Sequence, residues 1–104
     1  MTAKYRMKAR VDNNQGKIVK ELLQIPGVSV ELGHDDIICG YRKRTFWFEI
    51  KSEAAVSRKT GKVLESRIED DQKRLRSTFT GQYDIVKSTD EILAIIFDPK
   101  NHGR

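Results

Sequence analysis

The stretch Gly33 to Lys51, GHDDIICGYRKRTFWFEIK, reads as a β-hairpin that carries acids. From Thr45 to Lys51 the residues alternate, so Phe46, Phe48 and Ile50 share one face of a strand and Trp47, Glu49 and Lys51 the other. A second short apolar run, Asp36 to Gly40, precedes it, and the polar link Tyr41 to Arg44 is short enough for a hairpin. With the turn centred on Arg42-Lys43, at two residues or at four, Asp36 falls opposite Glu49 and Asp35 falls opposite Ile50 on the other face. A three-residue loop shifts the register by one and favours Asp35 instead.

Cross-strand partners share a face and lie close enough to chelate one ion. Asp36 and Glu49 with Lys51 beside them suit a hard divalent cation, which takes oxygen ligands and keeps waters for a substrate phosphate. The lysine then holds a nucleophilic water or the developing phosphate charge. The same three residues also describe a solvated charge patch on a hairpin, so the flanking residues must decide.

At 104 residues, 38% hydrophobic and 34% charged, the chain allows one compact domain, residues 1–104, with one modest core. No apolar run approaches the ~20 residues of a membrane span, and the N-terminus lacks the apolar region of a signal peptide, so a cytoplasmic protein without a membrane partner is expected. The single cysteine, Cys39, excludes an internal disulfide and, with two distant histidines, argues against zinc; it reads as a small core residue. A net charge of +5 and a pI near 9.5 favour a polyanionic partner. A pure phosphate binder, however, gains nothing from directing Asp36 and Glu49 towards its ligand, whereas a metal-dependent nuclease requires it.

Upstream of the hairpin, Lys4, Arg6, Lys8 and Arg10 alternate with Tyr5, Met7 and Ala9. Residues 1–10 are thus a basic arm that contacts phosphate, a short edge strand or a frayed terminus. Asp12 or Asn13 caps a helix that runs to about Gln24 and stops at Pro26-Gly27. Its inward stripe of Ile18, Val19, Leu22 and Ile25 extends back to Gln15, so a polar residue faces inward. Val28 to Glu31 is a short strand leading into the hairpin. After it, Ser52 to Glu65 is polar and irregular, with Arg58, Lys59 and Lys62 around a Thr60-Gly61 turn, a basic loop suited to clamping a nucleic-acid backbone.

Leu64 to Phe79 gives the next helix, and its stripe of Leu64, Ile68, Leu75 and Phe79 includes Gln72, which directs that amide at the sheet. Lys73, Arg74 and Arg76 leave the stripe, as a phosphate-tracking face or a plain solvent face. Tyr83 to Val86 reads as a strand, and Ser88 to Glu91 as the capping box of a last helix through Ile92, Leu93, Ile95 and Ile96. Residues 98–104 form a polar tail. The order α-β-β-β-α-β-α gives an α/β domain built on a mixed sheet.

Asp36, followed by Glu49-Ile50-Lys51 at the end of an aromatic strand, resembles the PD-(D/E)xK nuclease signature, with Asp35 in place of the usual proline. GHDDII resembles the Gly-x-Pro-Asp-aliphatic segment of the VRR-NUC branch, the virus-type replication-repair nucleases. The resemblance extends from Val11 to about Ile96 and implies a restriction-endonuclease-like domain with the element order just given. It implies that Asp36, Glu49 and the main-chain carbonyl of Ile50 hold Mg²⁺ or Mn²⁺, and that Gln72 matches the glutamine of the helix after the catalytic strand. Gln15 stands where the family usually carries a glutamate, and as a neutral amide it binds water, metal or phosphate instead. Stand-alone phage-type members resemble Holliday-junction resolvases, which implies branched DNA, a bacterial or phage-infected host cell and a homodimer.

The resulting expectation is a metal-dependent DNA endonuclease. Asp36, Glu49, Lys51 and Gln72 carry the chemistry; Gln15 and Ile50 join the two acids at the metal; Lys8, Arg10, Arg58, Lys59, Lys62, Lys73 and Arg76 lie along the nucleic acid. Two-fold pairing doubles the short footprint of one small chain, with the apolar helix Ile92 to Phe97 as a candidate interface. The alternatives are a catalytically silent nucleic-acid-binding module of the same fold and a small protein-interaction domain, which leaves the inward acids and lysine unexplained.

Overall fold

The computed structural model describes residues 14–33 and 36–101. The arm with Lys8 and Arg10, the Asp12 and Asn13 caps, His34 and Asp35 lie outside the described residues. Helix α1 (Gln15–Leu23) leads into β1 (Val28–Leu32) and the hairpin of β2 (Asp36–Tyr41) and β3 (Arg44–Ile50), followed by α2 (Asp70–Thr78), β4 (Asp84–Val86) and α3 (Thr89–Ile96). The strands form one mixed sheet in the order β1-β2-β3-β4, antiparallel except for the parallel pair β3 and β4. None of the described helices is long and apolar enough to cross a membrane.

The hairpin turns through Arg42 (φ 53°) and Lys43 (φ 69°), the left-handed pair that a two-residue type I′ turn demands. Tyr41 therefore pairs with Arg44, and counting outward brings Cys39 to Phe46, Ile37 to Phe48 and Asp36 to Glu49. Asp36, rather than Asp35, is the residue opposite Glu49.

One face of this sheet makes the core. Ile37, Cys39, Phe46, Phe48 and Ile50 meet Ile18, Val19 and Leu22 of α1 and Ile92 and Ile96 of α3. Full burial of each large apolar side chain contributes roughly 1.5–3 kcal/mol. The Cys39 thiol is fully buried and its pKa is pushed up to about 12 by that burial, which makes it a packing residue. Ile92 and Ile96 are buried here, with Leu93 and Ile95 partly buried against the same cluster, so α3 covers its own sheet. Phe97 stays 41% exposed, with its ring 5.2 Å from that of Tyr41.

Two expectations from the sequence are corrected. The helix expected from Leu64 begins only at Asp70, after a 3-10 turn at Glu65–Arg67 and an extended Ile68. Glu69 is the reason: its side chain accepts from the backbone of Gln72 while Gln72 Oε1 accepts the Glu69 N–H at 3.1 Å, a reciprocal cap that starts the helix there. Asp70 and Asp71 then sit in the first turn, where the helix dipole favours acids. Leu64 and Ile68 consequently share no helical stripe with Gln72.

The segment expected to be irregular is also ordered. Val56 bridges Val63, Leu64 N–H donates to Ala55 O at 2.7 Å, and Ser57 Oγ accepts from Lys59 and Thr60 to close the turn that Gly61 (φ 73°) completes. At α3, Ser88 Oγ accepts the Glu91 N–H at 3.2 Å as the sequence suggests, but Glu91 Oε1 reaches the N–H of Lys87.

Arginine and lysine in left-handed conformation cost roughly 1–2 kcal/mol each relative to residues that adopt it freely. Replacing Arg42-Lys43 with Asn-Gly should therefore stabilise the fold by about 1 kcal/mol, seen as a thermal midpoint raised by roughly 4–8 °C. An unchanged or lowered midpoint would show that the turn does not carry this strain.

Candidate functional site

The other face of the hairpin collects the polar chemistry. Asp36 and Glu49 face each other, Ile38 and Trp47 form the next pair, and the parallel register sets Ile85 beside Glu49, with Tyr83 two residues earlier on the same side. Glu49 is 5% exposed and Lys51 9% exposed, the two buried charged side chains among the described residues. Burying charge opposes folding unless its surroundings compensate it, so these two groups make this end of β3 the candidate site.

Lys51 is tied at its backbone. Its N–H donates to Val86 O at 2.8 Å, and its carbonyl accepts Asn14 Nδ2 at 3.1 Å; the same Nδ2 also donates to Lys87 O at 3.0 Å. Asn14 thus pins the N-terminus of α1 to the ends of β3 and β4, which brings Gln15 to the same region. Gln15 Nε2 is buried without a hydrogen-bond partner among the described residues. Ile50 enters the site only through its main chain, since its side chain is in the core on the opposite face.

Trp47 links the aromatic strand to the acids: its indole Nε1–H donates to Asp36 Oδ2 at 2.5 Å. The ring is held by edge contacts to Phe79 at 5.2 Å and Tyr83 at 4.8 Å between centroids. Gln82 holds its main chain, accepting the Trp47 N–H at 2.6 Å and donating to the Trp47 carbonyl at 2.9 Å. Tyr83 is buried and its hydroxyl has no partner among the described residues. Burial, and then the negative charges of Glu49 and Asp36, hold its phenol above the usual range, against a smaller opposing effect of Arg76. Tyr83 therefore belongs to this centre, although nothing in the linear sequence singled it out.

The remaining candidate residues are spread around this centre. Gln72 caps α2 through Oε1, leaving Nε2 without a partner among the described residues. Lys62 and Arg76 line one cleft together with Ile85, the neighbour of Glu49. The Arg76 guanidinium, however, is engaged by both carboxylate oxygens of Glu65, at 2.8 and 3.0 Å. That bond raises the pKa of Arg76 and lowers that of Glu65. Arg58 and Lys59 are exposed at the tip of the 57–61 turn, and Lys73 lies half-exposed on α2.

Among the described residues no group of three or more histidine, cysteine or acidic side chains converges. Asp36 and Glu49 supply two carboxylates, a donor set that suits Mg²⁺, which is usually held by one or two carboxylates with waters and substrate phosphate completing its shell. It does not suit zinc or a closed calcium cage. Comparison of the chain with protein-family models, curated protein sequences and solved structures finds no match.

The raised phenol of Tyr83 has a consequence for alkaline stability. The unfolded tyrosine loses its proton near pH ~10 while the folded one keeps it, so this contribution is intact below that pH and is lost as the pH rises through the folded value. Tyr83→Phe should move alkaline unfolding to higher pH. At neutral pH it should leave stability unchanged or raise it by about 1 kcal/mol, because an unpartnered buried hydroxyl is removed. Thermal melts of both proteins across neutral and alkaline pH measure this, and equal alkaline profiles would exclude a raised Tyr83.

Proposed function

We propose that the chain is a metal-dependent endodeoxyribonuclease of the PD-(D/E)xK type, resembling the VRR-NUC branch. The observation that carries this reading is the pairing of Asp36 with Glu49 on one face, with Lys51 buried two residues further along, just past the end of β3. A charge patch made for solubility would sit in water, whereas Glu49 and Lys51 are withdrawn from it and Asp36 is half-buried.

Asp36, Glu49 and the main-chain carbonyl of Ile50 are the groups that hold Mg²⁺ or Mn²⁺. The cation, when bound, supplies Lewis acidity to a phosphodiester and a more acidic water. Lys51, buried just past Glu49, is assigned the task of orienting the attacking water or stabilising charge on the phosphate oxygens. Gln15 contributes a buried amide with unused donor capacity. Exposed Arg58, Lys59 and Lys62 and half-exposed Lys73 neutralise backbone phosphates, and Arg76 joins them when a phosphate displaces Glu65. Branched DNA as substrate and a homodimer as the working form follow from the family likeness.

Incubation of the purified protein with linear, flap and four-way DNA, in Mg²⁺, Mn²⁺ or EDTA, tests the reading. Cleavage should require metal and be abolished by Glu49→Gln or Asp36→Asn, with DNA binding and fold retained. Lys51→Ala should lower the cleavage rate by about 10²–10³-fold while metal still binds, as expected for loss of a transition-state donor. Metal-independent cleavage, or full activity in both carboxylate variants, would overturn the assignment. DNA binding without cleavage of any substrate would favour a silent module of the same fold.

A further inference from the structure

We infer that Trp47 is a positioning residue of the metal centre, setting the orientation of the Asp36 carboxylate through its indole N–H; this rests on the reading of Asp36 and Glu49 as metal ligands. Two independent contacts confine that carboxylate. On one side, Trp47 Nε1 lies 2.5 Å from Oδ2. On the other, Oδ1 lies against the bare Cα of Gly33, where an added Cβ would overlap it. The backbone of Gly33 also donates to the Asp36 carbonyl at 2.8 Å, so the glycine cannot simply swing away.

The donor has contacts of its own apart from the acid. The indole is wedged edge-on between Phe79 and Tyr83, and its main chain is bracketed by the Gln82 amide on both sides. The ring thus has partners besides the acid, and we read the hydrogen bond as aiming the carboxylate. An ionised carboxylate has about four lone-pair sites, of which the indole takes one, so ligand capacity remains on both oxygens. Outer partners of this kind hold a metal ligand in its binding orientation, and their loss typically lowers metal affinity about 10–100-fold.

Trp47 is the chain's single tryptophan, so its emission reports this contact alone. Calorimetric titration of the full chain with Mn²⁺, beside fluorescence titration with diamagnetic Mg²⁺, tests the inference. Wild-type emission should change and saturate as Mg²⁺ neutralises the charge at Asp36. Trp47→Phe keeps a ring between Phe79 and Tyr83 but removes the N–H, and should weaken Mn²⁺ binding at least tenfold with the metal-free protein still folded. Gly33→Ala, which displaces Oδ1 without touching the indole packing, should weaken it as well.

Unaltered Mn²⁺ affinity in Trp47→Phe, or wild-type emission that ignores bound Mg²⁺, overturns the role of Trp47 and leaves the metal centre standing. If Trp47→Phe fails to fold, the wild-type emission and Gly33→Ala decide. Wild-type protein that takes up neither ion overturns the metal centre and this inference together.

Discussion

A strand side chain changes face with every residue, so the length of the turn after Tyr41 determines whether Asp36 meets Glu49 or is turned away from it. Arg42 and Lys43 accept left-handed backbone conformations that neither residue prefers, and the even register follows. The same count sends Ile37, Cys39, Phe46 and Phe48 into the core and Asp36, Trp47 and Glu49 to the opposite face. The core enforces the choice: a slip of one residue would expose that apolar set and bury the acids beneath α1 and α3. Hydrophobic burial on one face thus holds the polar arrangement on the other.

That polar face is incompletely satisfied. Gln15 Nε2, Asn14 Oδ1 and the Tyr83 hydroxyl are buried without partners among the described residues. A buried polar group that gives up water and gains no protein partner costs about 1–3 kcal/mol. Two of the three stand at the N-terminus of α1 where it meets the ends of β3 and β4, and the third stands next to the carboxylates. Their hydrogen-bonding capacity near two buried charges supports the proposal of a site at this end of the sheet.

The hairpin and its faces were legible because they depend on local period and turn length: Phe46, Phe48 and Ile50 against Trp47, Glu49 and Lys51 can be read directly. The α1 stripe and the Ser88 cap were legible for the same reason. The start of α2 was not, because Leu64 and Ile68 have helical spacing to Leu75 and Phe79, while the Glu69 and Gln72 cap overrides that spacing. Nor were the roles of Tyr83 and Asn14, which depend on the parallel pairing of β3 with β4, a register that no local turn determines. The Trp47 contact was half-legible: alternation put the indole on the acid face, and a partly buried indole N–H seeks an acceptor, but the diagonal step from the Ile38 pair to Asp36 needs the structure.

The Asn14 clamp also divides the site by the range of its contacts. The hairpin closes over a two-residue loop, so its carboxylates meet after a local event with little entropy to overcome. The two bonds from Asn14 span 37 and 73 residues, and the second needs β4 already docked on β3. Contacts of such different separation carry different loop-closure costs, the distant ones the larger. The acid pair therefore depends on a two-residue turn, while the Lys51 end of the centre and the Gln15 amide depend on contacts that close only with β4 docked on β3.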